Sequence, residues 1–188
     1  MKKYLILCLL LSTVVFSSLL GTAEDVRFDQ PALITSAGQA AEVHLANVLF
    51  KRAGLTATLN KTAEAADLEG HKTLILVLGV SLKGLGAAGI DAGHEKKRVE
   101  SLLLAADEQS IPILCLHLGG EARRGDLSDQ MIKTCLPHAA AVLVVKDGNK
   151  DGLFTAICRN HNIPLIEVEK TVYALEPLKN YFRQDRRP

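Results

Sequence analysis

Thr73-Leu74-Ile75-Leu76-Val77-Leu78, with Gly79 behind it, is the stretch that decides the fold. A strand with one wet face alternates apolar and polar residues. A run with almost no polar side chain is what a parallel strand needs when both of its faces are covered. Working outward, similar runs recur at Ala32 to Thr35, Ile113 to Leu118, Ala141 to Val145 and Leu165 to Val168, with a brief strand at Thr56 to Leu59.

Helical spacing fills the intervals. Val43, Ala46, Phe50 and Ala53 share one side of a helix that Gly54 stops. Ser36-Ala37-Gly38-Gln39 has the capping-box pattern and predicts the start of that helix. Asp91 to Glu108 places Val99, Leu102, Leu103 and Ala106 on one side of another. Ser128 is the expected cap of a helix ending near Cys135, and Asp151 of one ending near Asn162. Thr171 is the expected cap of a last helix, interrupted or restarted at Pro177. Alternating strands and helices of this kind imply an α/β fold. The expectation is a doubly wound, mostly parallel sheet of five to six strands with helices on both faces, Rossmann-like or flavodoxin-like.

The N-terminus reads as a targeting segment. Lys2 and Lys3 precede an apolar run from Tyr4 to Leu20, and Gly21-Thr22-Ala23 offers small residues for cleavage before Glu24-Asp25. The run is shorter than the ~20 apolar residues of a membrane span and turns polar at its end. The expected organisation is a signal peptide over residues 1–23, a lead over 24–30 and one domain over 31–184, exported to the periplasm or the cell exterior. No stable membrane insertion is expected after cleavage.

Losing Lys2 and Lys3 leaves 20 basic residues against 21 acidic ones. That balance makes no global attractor for nucleic acid. Cys115, Cys135 and Cys158 remain; being odd in number and set among apolar residues, they read as buried free thiols. Oligomeric state is not readable.

Doubly wound sheets bind ligands beyond the carboxyl ends of their strands, where strand order reverses. The candidate ligand-binding residues sit in four such loops: Ser36; Ser81, Lys83, Gly84 and Gly86; His117, Gly119, Gly120, Arg123 and Arg124; and Asn149, Lys150 and Asp151. Glycine amides with Ser81 and Lys83 can form a nest for a carboxylate, phosphate or sulfate, and the two arginines add forked cations. The bland alternative is tight turns and solvated charges.

Gly84-Leu85-Gly86-Ala87-Ala88-Gly89 formally matches a dinucleotide fingerprint. It follows a middle strand, is separated from Gly79 by a four-residue spacer (Val80 to Lys83), and has no acid at the end of a following strand some twenty residues on, so no cofactor is expected. Asp147, Asn149, Asp151 and Gly152 match the first half of a calcium loop, but Cys158 stands where the bidentate glutamate belongs. Helix capping and turn formation explain the same residues, and no metal is expected.

His117 ends a strand, where it is either a base beside Glu121 or Asp126 or a histidine satisfied by main chain. No nucleophile elbow or spaced acid pair is present, so enzyme status stays open.

From about Pro31 to Phe182 the chain resembles a family of bacterial and archaeal secreted proteins known as a domain of unknown function. The resemblance rests on Ser81-x-Lys83-Gly84-Leu85-Gly86-Ala87-Ala88-Gly89, on His117-x-Gly119-Gly120-Glu121-Ala122-Arg123-Arg124-Gly125 and on Gly148-Asn149-Lys150-Asp151-Gly152-Leu153-Phe154. It implies the fold and leaves the function open. The functional expectation is binding of a small polar or anionic molecule outside the cytoplasm. The alternatives are a hydrolase or isomerase using His117, and a periplasmic protein-interaction module.

Overall fold

The computed structural model describes residues 26–182. The expected signal peptide, and the ends of the lead and domain ranges at 24–25 and 183–184, lie outside the described residues. Among those described, no helix is long and apolar enough to cross a membrane.

Six parallel strands form one sheet: β1 (Ala32–Ala37), β2 (Ala57–Leu59), β3 (Thr73–Leu78), β4 (Ile113–His117), β5 (Ala141–Val145) and β6 (Leu165–Val168), in the order β2-β1-β3-β4-β5-β6. β3 is buried along its whole length, as its apolar run requires. Its residues alternate between two cores. Leu74, Leu76 and Leu78 meet Val99, Leu102 and Leu103 of α3 (Ala92–Glu108), Ile132 of α4 (Asp126–Cys135) and Phe154 of α5 (Leu153–His161). Ile75 and Val77 face the layer of α1 (Glu42–Ala53) and α6 (Leu175–Tyr181), through Val43, Ala46, Phe50 and Leu178. This is the doubly wound α/β arrangement, with helices on both faces.

Phe28, in the segment read as a lead, belongs to the second core. Its amide donates to the Tyr181 carbonyl at 2.8 Å, and its ring packs edge-on against Tyr181 and tilted against Phe182. Cys115, Cys135 and Cys158 are buried free thiols. Burial pushes the Cys158 thiol up to about 11 and the other two upward as well.

Three local expectations give way to tertiary contacts. Ser36-Ala37 does not open a helix: β1 stays paired with β3 as far as Ala37 opposite Leu78, and α1 begins at Glu42 without a side-chain cap. Ladder pairing with the central strand wins over a local cap. Ser128 lies inside α4, where its buried hydroxyl accepts the Val80 amide at 3.0 Å. Thr171 opens a 3-10 turn (Thr171–Ala174) and donates to the Leu118 carbonyl, while α6 follows with Pro177 in its first turn. Conversely, the glycine-rich stretch read as a loop contains a short helix, α2 (Leu82–Ala87). Ser81 caps it by accepting the Gly84 amide at 3.1 Å.

Candidate functional site

Strand order reverses between β1 and β3, because β2 lies on one side of β1 and all later strands on the other. The chain closes the floor of that crevice with its own groups. Gly38 presses on the next loop: a Cβ there would stand 2.4 Å from the Gly79 carbonyl oxygen. The Ser81 amide donates to the Gly38 carbonyl at 2.8 Å.

The Gly38 amide, the kind of donor an anion nest presents, points at the Glu95 carboxylate at 2.8 Å. Glu95, 1% exposed, also accepts from the Gln39 side chain at 3.1 Å and the Arg98 Nε at 2.9 Å. Arg98 in turn donates to the carbonyls of Ser36 and Ala63. A buried ion pair from α3 therefore locks the loops after β1 and β2.

Above this floor lies a cleft of about 320 Å³ between the start of α1 and α2. Gln39, Ala40, Ala41, His44, Lys61, Ser81, Lys83, Gly84, Ala87 and Arg123 line it, with no carboxylate among them. Lys61 and Lys83 are exposed, and their ammonium groups have no ion-pair partner among the described residues. Arg123 reaches the cleft from the 3-10 turn after β4 (Gly120–Arg123), and its Nε donates to both oxygens of Glu42 at 2.8 Å.

Over β4 and β5 the other candidates form a second, self-contained cluster. Arg124 pairs with Asp129 at 2.7 Å and with Asp151 at 2.8 Å, and donates to the Gly148 carbonyl. The guanidinium holds the Asp151 carboxyl down at about 2 and lowers that of Asp129; the two carboxylates raise the pKa of Arg124. Lys150 pairs with Glu121, which raises the lysine and lowers the acid.

Asn149 is fully used. Its amide nitrogen donates to Thr155 and Glu167, and its oxygen caps α5 by accepting the Phe154 amide at 2.9 Å. Asp151 also accepts the Leu153 amide at 3.2 Å. Asp147 lies against Gly120, where a Cβ would stand 2.1 Å from its Oδ1. Asn149 and Asp151 of the half calcium motif are thus bonded to other groups of the chain, and Asp147 packs against Gly120. Among the described residues no group of three His, Cys, Asp or Glu side chains is placed to hold a metal ion.

His117 is fully buried. Its Nδ1 faces the Leu78 carbonyl at 3.1 Å and its Nε2 the Gly120 carbonyl at 3.0 Å, while Phe154 packs on the ring. Burial pushes its pKa below the ordinary histidine value. The neutral ring has one N–H and serves one of these carbonyls at a time. Gly148 packs at its edge, where a Cβ would come 2.6 Å from Cδ2.

Ser36 is likewise fully buried, and its hydroxyl has no hydrogen-bond partner among the described residues. The candidate set therefore divides. Ser81, Lys83, Gly84 and Arg123 meet at the cleft. Gly86 stands exposed on α2, with nothing within 4 Å of where its Cβ would be. Arg124, Asn149, Lys150 and Asp151 bind one another or their near neighbours, and Gly119 and Gly120 make room for Arg123 and Asp147.

Sequence reasoning missed Lys61, His44, Glu42, Glu95 and Arg98. Glu95 and Arg98, three apart on a helix, look in sequence like an ordinary solvated pair. Only the packing of α3 against the loop after β1 buries them.

Fold and crevice define a doubly wound α/β domain whose switch point is sealed by the chain and roofed by a cationic cleft. Residues 29–182 match the family described as Domain of unknown function (DUF6305), and the chain belongs to it. No curated protein matches the chain. Among solved structures it is similar to AlinE4, an SGNH-hydrolase family esterase, at 11% identity over 87% of this chain and 86% of that one, with a TM-score of 0.31. It is also similar to a GDSL-like lipase from Bacteroides thetaiotaomicron, at 10% identity over 72% of this chain and 66% of that one, with a TM-score of 0.35. Scores this low carry no argument about reaction.

Proposed function

We propose that this domain, acting as an exported protein, binds a small anionic molecule in the cleft beside the β1/β3 switch point. One observation carries the reading. Lys61 and Lys83, which have no ion-pair partner among the described residues, stand with Arg123 and His44 around a cleft with no carboxylate among its lining residues, at the place where doubly wound sheets take ligands. Desolvating a lysine that already has a partner gains little; an ammonium without one is free to pair with a ligand.

Differential scanning of residues 24–188 with succinate and with inorganic phosphate, at constant ionic strength, tests it. A ligand at one hundred times its Kd stabilises the native state by about 2.7 kcal/mol and raises the melting temperature. The rise is expected with wild type and lost in Lys61→Ala/Lys83→Ala. No shift with either anion, or a shift that survives the double substitution, refutes the site. A hydrolase or isomerase centred on His117 has no comparable support, because the ring offers a substrate no exposed edge.

A further inference from the structure

Arg123 is held in a way that its charge alone does not require. Its stem lies across the ends of two central strands. A Cβ on Gly119 would stand 2.1 Å from the Arg123 Cγ, and one on Gly79 3.4 Å from its Cβ. Gly119 has φ of −89°, open to any residue, so its backbone does not demand glycine; the room for Arg123 does. At the far end Glu42 takes only Nε, through both carboxylate oxygens. The two terminal nitrogens, Nη1 and Nη2, have no hydrogen bond among the described residues. Arg123 lines the cleft and is 31% exposed.

A guanidinium gripped by Nε, with its other nitrogens unused, presents donors matched to two oxygens of one anionic group. We infer that Arg123 is the anchor of the cleft and takes a terminal carboxylate or phosphate through Nη1 and Nη2. Glu42 and the Gly119 seat act as the positioning elements. Glu42 also offsets the arginine's charge, so discrimination rests on geometry more than on net attraction. Ala40, Ala41 and Ala87 give the cleft small apolar walls, which suits a compact organic anion whose body is not itself highly charged. This rests on the anion-binding reading above and adds which residue selects the anion and by what shape.

NMR titration of wild type with succinate, inorganic phosphate and bromide, at fixed ionic strength, provides the test. Bromide has charge and no second oxygen. Wild type is expected to prefer the oxyanions over bromide by about tenfold or more. Succinate against phosphate separates a carboxylate source from a phosphate source; binding of either supports the inference.

Arg123→Lys keeps the charge and removes the fork, so the preference collapses while bromide binding is unchanged. Gly119→Ala keeps every charge and unseats the stem, and the same collapse is expected. Glu42→Gln raises bromide binding and narrows the ratio. If Gly119→Ala does not fold, Arg123→Lys, at a partly exposed side chain with its charge retained, decides alone. Oxyanions that bind wild type and Arg123→Lys with the same preference over bromide overturn the anchor and leave the lysine-lined cleft standing. No binding to wild type at all overturns both.

Discussion

The two loop clusters at the carboxyl edge of the sheet are built from similar residues and end with opposite character. Over β1 and β3, Lys61, Lys83, His44 and Arg123 line a cleft with no acid among its lining residues; Glu95 is buried beneath it, and Glu42 takes only the Nε of Arg123. Over β4 and β5, Arg124 and Lys150 share a smaller hollow with Glu121, Asp129, Asp147 and Asp151, and both cations are paired. A cation near a glycine-rich loop therefore says little until its partners are known. Where the fold supplies acids at the right reach, the loop becomes a brace. Where it does not, the loop keeps capacity for a ligand.

The largest effect should come from the floor of the first cluster. Glu95→Ala leaves the Arg98 guanidinium, 11% exposed, without its counter-charge, frees the Gly38 amide, and leaves the Gln39 side chain only its bond to the Lys61 carbonyl. Breaking a buried pair by removing one partner costs about 3–5 kcal/mol. Glu121→Ala, which removes an exposed partner of Lys150, should leave the urea midpoint unchanged. Equal midpoints for the two variants would erase the contrast between a buried lock and a surface brace.

A smaller effect separates packing from phosphate cradling in the glycine-rich stretch. A Cβ on Gly84 would stand 2.0 Å from the Gln39 carbonyl oxygen, whereas one on Gly86 would meet nothing within 4 Å. Gly84→Ala should destabilise by about 1–3 kcal/mol, since main chain must move. Gly86→Ala, in the same helix, should be neutral or gain up to about 1 kcal/mol from helix propensity. Urea midpoints of the two variants report it directly. A fingerprint that cradled a pyrophosphate would need both glycines; here the first fits a helix against a loop. Loss of stability in both would contradict that assignment.

These cases mark what could be read from the chain. The bounds of β3, β5 and β6, and of α3 to within a residue, follow from apolar runs and helical spacing, and the structure places them where the residues predict. Ser36, Ser128 and Thr171 carry capping signals too, yet each is overruled by a partner distant in sequence: the β3 ladder, the Val80 amide and the Leu118 carbonyl. The site divides the same way. Lys83 and Arg123 were visible as cations in loops after central strands. That Arg124 is also consumed by Asp151, that Glu95 fills the nest, and that Lys61 enters from the loop after β2 all depend on side chains brought together by strand order. Sequence spacing holds no record of them.

The smallest effect concerns the pH response of the second cluster. Asp151 accepts from both terminal nitrogens of Arg124 and from the Leu153 amide, which holds its carboxyl at about 2. A carboxyl whose folded value is depressed adds stability above its unfolded pKa of ~3.9 and loses it as pH falls through the folded value. The window therefore runs from about 4 down to about 2. Asp151 is 58% exposed, so water and salt screen the pair and its worth at neutral pH is about 0–1 kcal/mol. Asp151→Asn should sit slightly below wild type in urea midpoint at pH 6, and the gap should close as the pH approaches 2. Asp129 is the less exposed partner of the same guanidinium and stays in place, so Arg124 keeps a counter-charge in the variant and the loss stays small. No gap at pH 6 would mean that Asp151 acts through its helix-start hydrogen bond to Leu153, which asparagine can also accept, and a gap that persists unchanged to pH 2 would equally show that its charge on Arg124 is not what matters.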